Sequence, residues 1–212
     1  MLRLLRADAE KHDSASMSLE QIAAVCAAAQ QRGVDVVRLH SGEPSIYGAI
    51  AEQMEALDRL GIDYDVTPGI SSFQAAAAAL TVELTAPEVA QTVILTRSGG
   101  RTPLPERQEL ASLARSHATL CIFLSTAHVD AVAASLLPEY GAACPAAVVF
   151  HASRPDQRVI RTRLDRLAEE TKSARLSKTA IFLVGEALGR AGACSKLYDA
   201  TFAHEYRGSL EP

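Results

Sequence analysis

Seven short β-rich runs recur along this chain, and most are separated by Ala- and Leu-rich stretches of helical spacing. The runs are "VDVVRLH", "IDYDV", "QTVILTR", "ATLCIFL", "PAAVVFH", "RVIRTRL" and "TAIFLVG". The helical stretches include "SLEQIAAVCAAAQQRG", "SIYGAIAEQMEALDRLG", "SSFQAAAAAL", "ERQELASLARS" and "AHVDAVAASLLPEYG". Short apolar runs bounded by turn residues suit strands, and apolar positions three and four apart suit helices. Three helical stretches close on glycine, at Gly33, Gly61 and Gly141, as helix C-termini often do. Strand–helix alternation of this kind predicts an α/β protein with mainly parallel sheet.

One stretch breaks the alternation. In "PAAVVFHASRPDQRVIRTRL" two strand-like runs flank a short polar loop that holds a proline. That predicts an antiparallel hairpin, so the sheet of the second half is expected to be mixed. The segment "TVELTAPEVAQ", residues 81–91, interrupts both periodicities. It predicts an N-terminal α/β domain over residues 1–88 and a C-terminal α/β domain over 89–212.

At 212 residues the chain is long enough for one large domain or two small ones. No apolar run reaches the ~18 residues of a membrane span, and the apolar part of "MLRLLRADAEKHD" is too short for a secretory signal. A cytoplasmic protein is expected, with no membrane partner. The net charge of −4 gives no general basic surface for nucleic acid. Cys26, Cys121, Cys144 and Cys194 show no C-x-x-C pair, and the six histidines show no H-x-x-x-H spacing. Reduced structural thiols and no metal site are the expectation.

Two turns carry the candidate chemistry. "LHSGEPSIYGAI" runs from a strand end through Gly42-Glu43-Pro44 into a helix, with Ser45 placed to cap it. "VTPGISSFQAAAAAL" repeats the device through Pro68-Gly69, with Ser71 and Ser72 opening the next helix. Ligands of open α/β sheets bind outside the carboxyl ends of the strands. Helix N-termini there present free N–H groups to ligand oxygens. Plain βα turns and N-cap serines are the structural alternative for each.

G-[DE]-P-S-x-Y-G followed by P-G-x-S-S-F resembles the tetrapyrrole (corrin/porphyrin) methylase family. "QTVILTRSGGRTPLPE" and "SKLYDATFAH" add to the likeness, which runs from about Asp8 to the C-terminus. The resemblance implies two α/β domains, a parallel-sheet first one and a mixed-sheet second one. It implies S-adenosyl-L-methionine as cofactor and a tetrapyrrole as substrate. The branch it points to methylates C11 of precorrin-4, or of cobalt-precorrin-4, in cobalamin synthesis. Another activity of the family remains open, as does a chain that binds S-adenosyl ligand without turnover. By motif position, Gly42, Glu43, Pro44, Ser45, Ile46 and Tyr47 resemble the first cofactor loop, and Ser71, Ser72 and Phe73 the second. Phe123, Leu124, His151, Ala152, Thr179 and Ala180 fall at cofactor positions of the second domain. Arg97 and Arg101 lie in the "LTRSGGRTP" loop, where guanidinium forks suit the carboxylate arms of such a ring. Solvated loop arginines are the alternative. No nucleophile or triad is found, and no proton acceptor is identifiable. The family suggests a homodimer. Two departures stand out: Glu43 replaces the usual Asp, and the family's first strand with its G-x-G-P-G-D loop has no counterpart. The N-terminal domain is therefore expected to be incomplete.

Overall fold

The structure is a computed structural model that describes residues 5–100, 103–189, 202–203 and 205. Packing divides the chain into two compact units, Met1–Ser71 and Ser72–Pro212.

The first unit is built on two helices. Helix α1 (Leu19–Gln31) starts with a reciprocal cap: the Gln21 N–H donates to Ser18 Oγ, and the Ser18 N–H donates to Gln21 Oε1. This satisfies donors that a helix start otherwise leaves orphaned. Helix α2 (Ile50–Leu60) ends at Gly61 in the left-handed region (φ 64°), where a side chain would be strained. The Gln30 amide donates to the Gly61 carbonyl and ties the two C-termini together. The strand-like runs of this unit behave differently from expectation. Residues 34–40 and 62–66 form no strand pairing among the described residues. Val34, Val36, Val37, Leu39, Tyr64 and Val66 are exposed, Val37 to 77%. A strand exists only through a hydrogen-bonded neighbour, so β-rich composition alone makes no sheet.

The second unit holds all five described strands: β1 (Val93–Arg97), β2 (Thr119–Phe123), β3 (Pro145–Phe150), β4 (Arg158–Arg163) and β5 (Ala180–Val184). Their order is β1-β2-β5-β3-β4. β1 and β2 are parallel and the other neighbours antiparallel, so the sheet is mixed. The hairpin expected from "PAAVVFHASRPDQRVIRTRL" is present, with Pro145 opposite Arg163 and Phe150 opposite Arg158.

Strand alternation gives the sheet two apolar faces. On one side Leu120, Ile122, Val148, Phe182 and Val184 meet α5 (Val129–Tyr140) through Val129, Val132 and Leu136, and α6 (Leu167–Ser173) through Leu167. The short α4 (Leu110–Ala114) completes that layer with Leu110 and Ala114. On the other side Cys121, Ala147, Val149, Ile181 and Leu183 meet α3 (Ser72–Leu80) through Ala76 and Leu80. The Arg161 guanidinium donates to the Leu80 carbonyl and caps the C-terminus of α3. This packing puts α3 with the sheet of the second unit. The boundary expected at residues 88/89 therefore falls inside that unit. Burial pushes the Cys121 thiol up to about 12, and burial followed by the nearby Glu186 charge does the same for Cys144. Both are thiols, not thiolates, at neutral pH.

Candidate functional site

In the first unit, the Gly42–Pro44 turn is held by a carboxylate. Glu43 Oε1 accepts from the Ser45 hydroxyl (2.6 Å) and the Ser45 N–H (2.9 Å). Glu43 Oε2 accepts from the Gly69 N–H at 2.7 Å, twenty-six residues on. One side chain thus clasps the two candidate turns together. Glycine is required at the clasp: a Cβ on Gly69 would stand 2.1 Å from the Gly42 carbonyl oxygen. Gly42 itself has φ +75°, and a Cβ on Gly48 would meet the Pro44 carbonyl oxygen at 2.0 Å.

Ser45 does not cap a helix, contrary to expectation. Helix α2 begins five residues later at Ile50, behind Ala49 in a left-handed conformation with no side-chain cap. The Glu43 carboxylate takes both donors of Ser45 and keeps it in the turn. Tyr47 also has positive φ (55°) and is exposed. Ser71 is buried, and α3 starts at the next residue, Ser72.

The Ser45 hydroxyl first, then the Gly69 and Ser45 amides, hold the Glu43 carboxyl below the usual carboxylate value of 4.5. A depressed folded pKa stabilises the clasp above the unfolded value, and that stability is lost as pH falls through the folded value. The clasp is therefore expected to persist through neutral and mildly acidic pH and to open only below 4.5. The Gly69 amide resonance, followed by NMR against pH, should titrate with a midpoint under 4.5 and lose that titration in Glu43→Gln. A midpoint at or above 4.5 contradicts the clasp.

In the second unit, the candidate residues lie at one end of the sheet. Phe123 closes β2, His151 follows β3, and Thr179 precedes β5. Phe150 pairs with Ala180, and the His151 N–H donates to the Thr179 carbonyl at 3.1 Å. Three of these residues have left-handed backbones: Leu124 (φ 53°), His151 (48°) and Thr179 (60°). Non-glycine residues there are strained, and such strain clusters at ligand sites. Leu124 is 72% exposed, while Phe123, Ala152 and Phe73 pack on the α3 side of the sheet.

Ser125 and Thr126, next to the residues that the motif positions select, also shape this end. Buried Ser125 Oγ donates to the Phe123 carbonyl (2.6 Å) and accepts from the Ser98 N–H (2.7 Å), fastening the ends of β1 and β2. Thr126 Oγ1 donates to the Ala180 carbonyl. Their signal in "IFLST" is two hydroxyls after a buried strand. The Ser98 hydroxyl is buried and has no hydrogen-bond partner among the described residues. Asp156 had no such signal; its carboxylate lies 2.6 Å from His151 Nδ1. That hydrogen bond, more than any other effect, holds Asp156 below the usual range. The Arg97 guanidinium donates to the Ser98 and Pro103 carbonyls of its own loop. Arg101, its expected partner, lies outside the described residues, as does most of the "SKLYDATFAH" segment.

Residues 1–168 match the family model of the tetrapyrrole (corrin/porphyrin) methylases. The chain belongs to the tetrapyrrole methylase family. Among the methylase's relatives, the cobalt-precorrin-4 C(11)-methyltransferase of Methanocaldococcus jannaschii is 48% identical over 211 residues, 99% of this chain and 82% of that one. The X-ray structure of a cobalamin biosynthetic enzyme, cobalt precorrin-4 methyltransferase, matches with a TM-score of 0.84 and 39% identity. It covers 86% of this chain and 77% of that one. A uroporphyrin-III C-methyl transferase from Thermus thermophilus, complexed with S-adenyl homocysteine, matches with a TM-score of 0.67 and 25% identity over 81% of this chain and 75% of that one. Among the described residues of this methylase, no helix is long and apolar enough to cross a membrane.

Proposed function

We propose that this methylase transfers a methyl group from S-adenosyl-L-methionine to C11 of precorrin-4 or cobalt-precorrin-4, a step of cobalamin synthesis. The identity to the C(11)-methyltransferases over nearly the whole chain carries the reading, and the sheet end of the second unit offers a place for the cofactor. There the motif-selected Leu124, His151 and Thr179, drawn from three different strand ends, share left-handed backbones. The chemistry of the site fits an S-adenosyl group. Exposed Leu124 offers apolar surface to a nucleobase. The clasped turns carry the other candidate contacts, residues 42–47 and 71–73.

When bound, the cofactor supplies an electrophilic methyl on a sulfonium, already a good leaving group. The residues of this chain have to align donor and acceptor carbon and keep water out. Strand-end backbones and glycine-dependent turns suit that task, since they hold their positions before a ligand arrives. Arg97 and Arg101 are the proposed partners of the ring's carboxylate arms. We further propose a cytoplasmic homodimer, on the strength of the family resemblance.

The test is methyl transfer to precorrin-4 by the purified chain, with the product identified by mass and by the position of the new methyl. One added methyl at C11 is expected. Methylation at another carbon points to a different activity of the family. Binding of S-adenosylhomocysteine without any turnover points to a binding protein.

A further inference from the structure

We propose that His151, oriented by Asp156, accepts the proton that the substrate ring loses on methylation. This rests on the methyl-transfer reading above. The ring's new carbon–carbon bond forms with an electron pair from its π system. The carbon–sulfur bond breaks, and its pair stays on sulfur. The ring then carries one extra positive charge and must shed one proton from a position conjugated with the new bond. A proton acceptor at the site is therefore part of the chemical balance.

Several observations select His151. It stands at the sheet end where the candidate cofactor residues of the second unit converge, and its N–H is tied to Thr179 in that cluster. Its Nδ1 lies 2.6 Å from Asp156 Oδ2. An ionised carboxylate only accepts hydrogen bonds, so Nδ1 carries the proton and Nε2 is left with its lone pair. Among the described residues Nε2 has no hydrogen-bond partner. The ring is also fixed in orientation, stacked on Phe150 with centroids 3.7 Å apart and planes 22° from parallel. The side chain is 17% exposed, so it is held by the fold yet open to a ligand. The charged groups around it are Asp156, Arg154 at 3.7 Å from the same carboxylate, and Arg158 over the Phe150 ring. A proton taken at Nε2 makes an imidazolium whose charge faces Asp156. A base oriented by a carboxylate is a recurrent arrangement for proton transfer.

The structural alternative is that the pair only ties the β3–β4 loop. His151→Asn separates the two, because its amide nitrogen stands where Nδ1 does and still donates to Asp156 but takes no proton. With the full chain, kcat for methylation of precorrin-4 should fall ~100-fold or more. The acid limb of the pH–rate profile should vanish. Asp156→Asn should keep that limb but lower kcat, since the imidazole remains while the carboxylate that fixes its tautomer is gone. Independently of turnover, 15N NMR of the folded chain should show the His151 ring as the Nδ1–H tautomer at pH 8. An unchanged kcat and acid limb in His151→Asn, or an Nε2–H tautomer, overturns the assignment while the methylase reading stands. No turnover by the unsubstituted chain overturns both.

Discussion

Gly69→Ala is expected to weaken S-adenosylhomocysteine binding ~5- to 150-fold, the equivalent of the roughly 1–3 kcal/mol that overpacking costs. The added carbon would lie 2.1 Å from the Gly42 carbonyl oxygen, and that oxygen belongs to backbone. A side-chain rotation cannot relieve such a clash, so one turn must move. Moving it pulls the Gly69 N–H off Glu43 and opens the clasp between the two candidate cofactor turns. The five strands all belong to the other compact unit, so the β signal in circular dichroism should be retained. Calorimetry with a folded variant decides the matter: unchanged affinity means these turns do not touch the ligand.

Phe182→Ala should cost about 3–5 kcal/mol of stability, the range for deleting a fully buried aromatic ring. Phe182 is fully buried on the central strand β5, between Ile122 of β2 and Val148 of β3. It sits in the apolar cluster that joins the sheet to α5 and α6. Losing the ring leaves a cavity that three elements would have to collapse into at once. Urea unfolding followed by circular dichroism provides the measure. A loss below about 1 kcal/mol would mean that the layer relaxes freely around the vacancy.

The second unit was largely legible in the sequence because its signals are local. "TLCIF" and "AIFLV" are continuous apolar runs, and both became strands buried on two faces. The hairpin was legible because one short loop joins its two strands. Helix α6 has too few apolar residues in seven to show a period. The first unit was less legible. "VDVVRLH" has the composition of a strand, but composition does not supply a neighbour to pair with. At the site, motif positions led to His151 and Leu124, while their left-handed torsions came only from the structure. The roles of Ser45 and Glu43 were hidden for a different reason. A serine after Gly-Glu-Pro looks the same whether it caps a helix or serves a carboxylate, and the Gly69 contact spans 26 residues.

The left-handed torsions at Leu124, His151 and Thr179 bear on how this enzyme tolerates engineering. Glycine adopts such a backbone freely, whereas each side chain retained there costs on the order of 1 kcal/mol. Leu124, 72% exposed, is then a place to raise the melting temperature, by Leu124→Gly. That exchange would remove an apolar side chain proposed to face the cofactor. On the proposed reading, thermal robustness and ligand recognition compete at this end of the sheet.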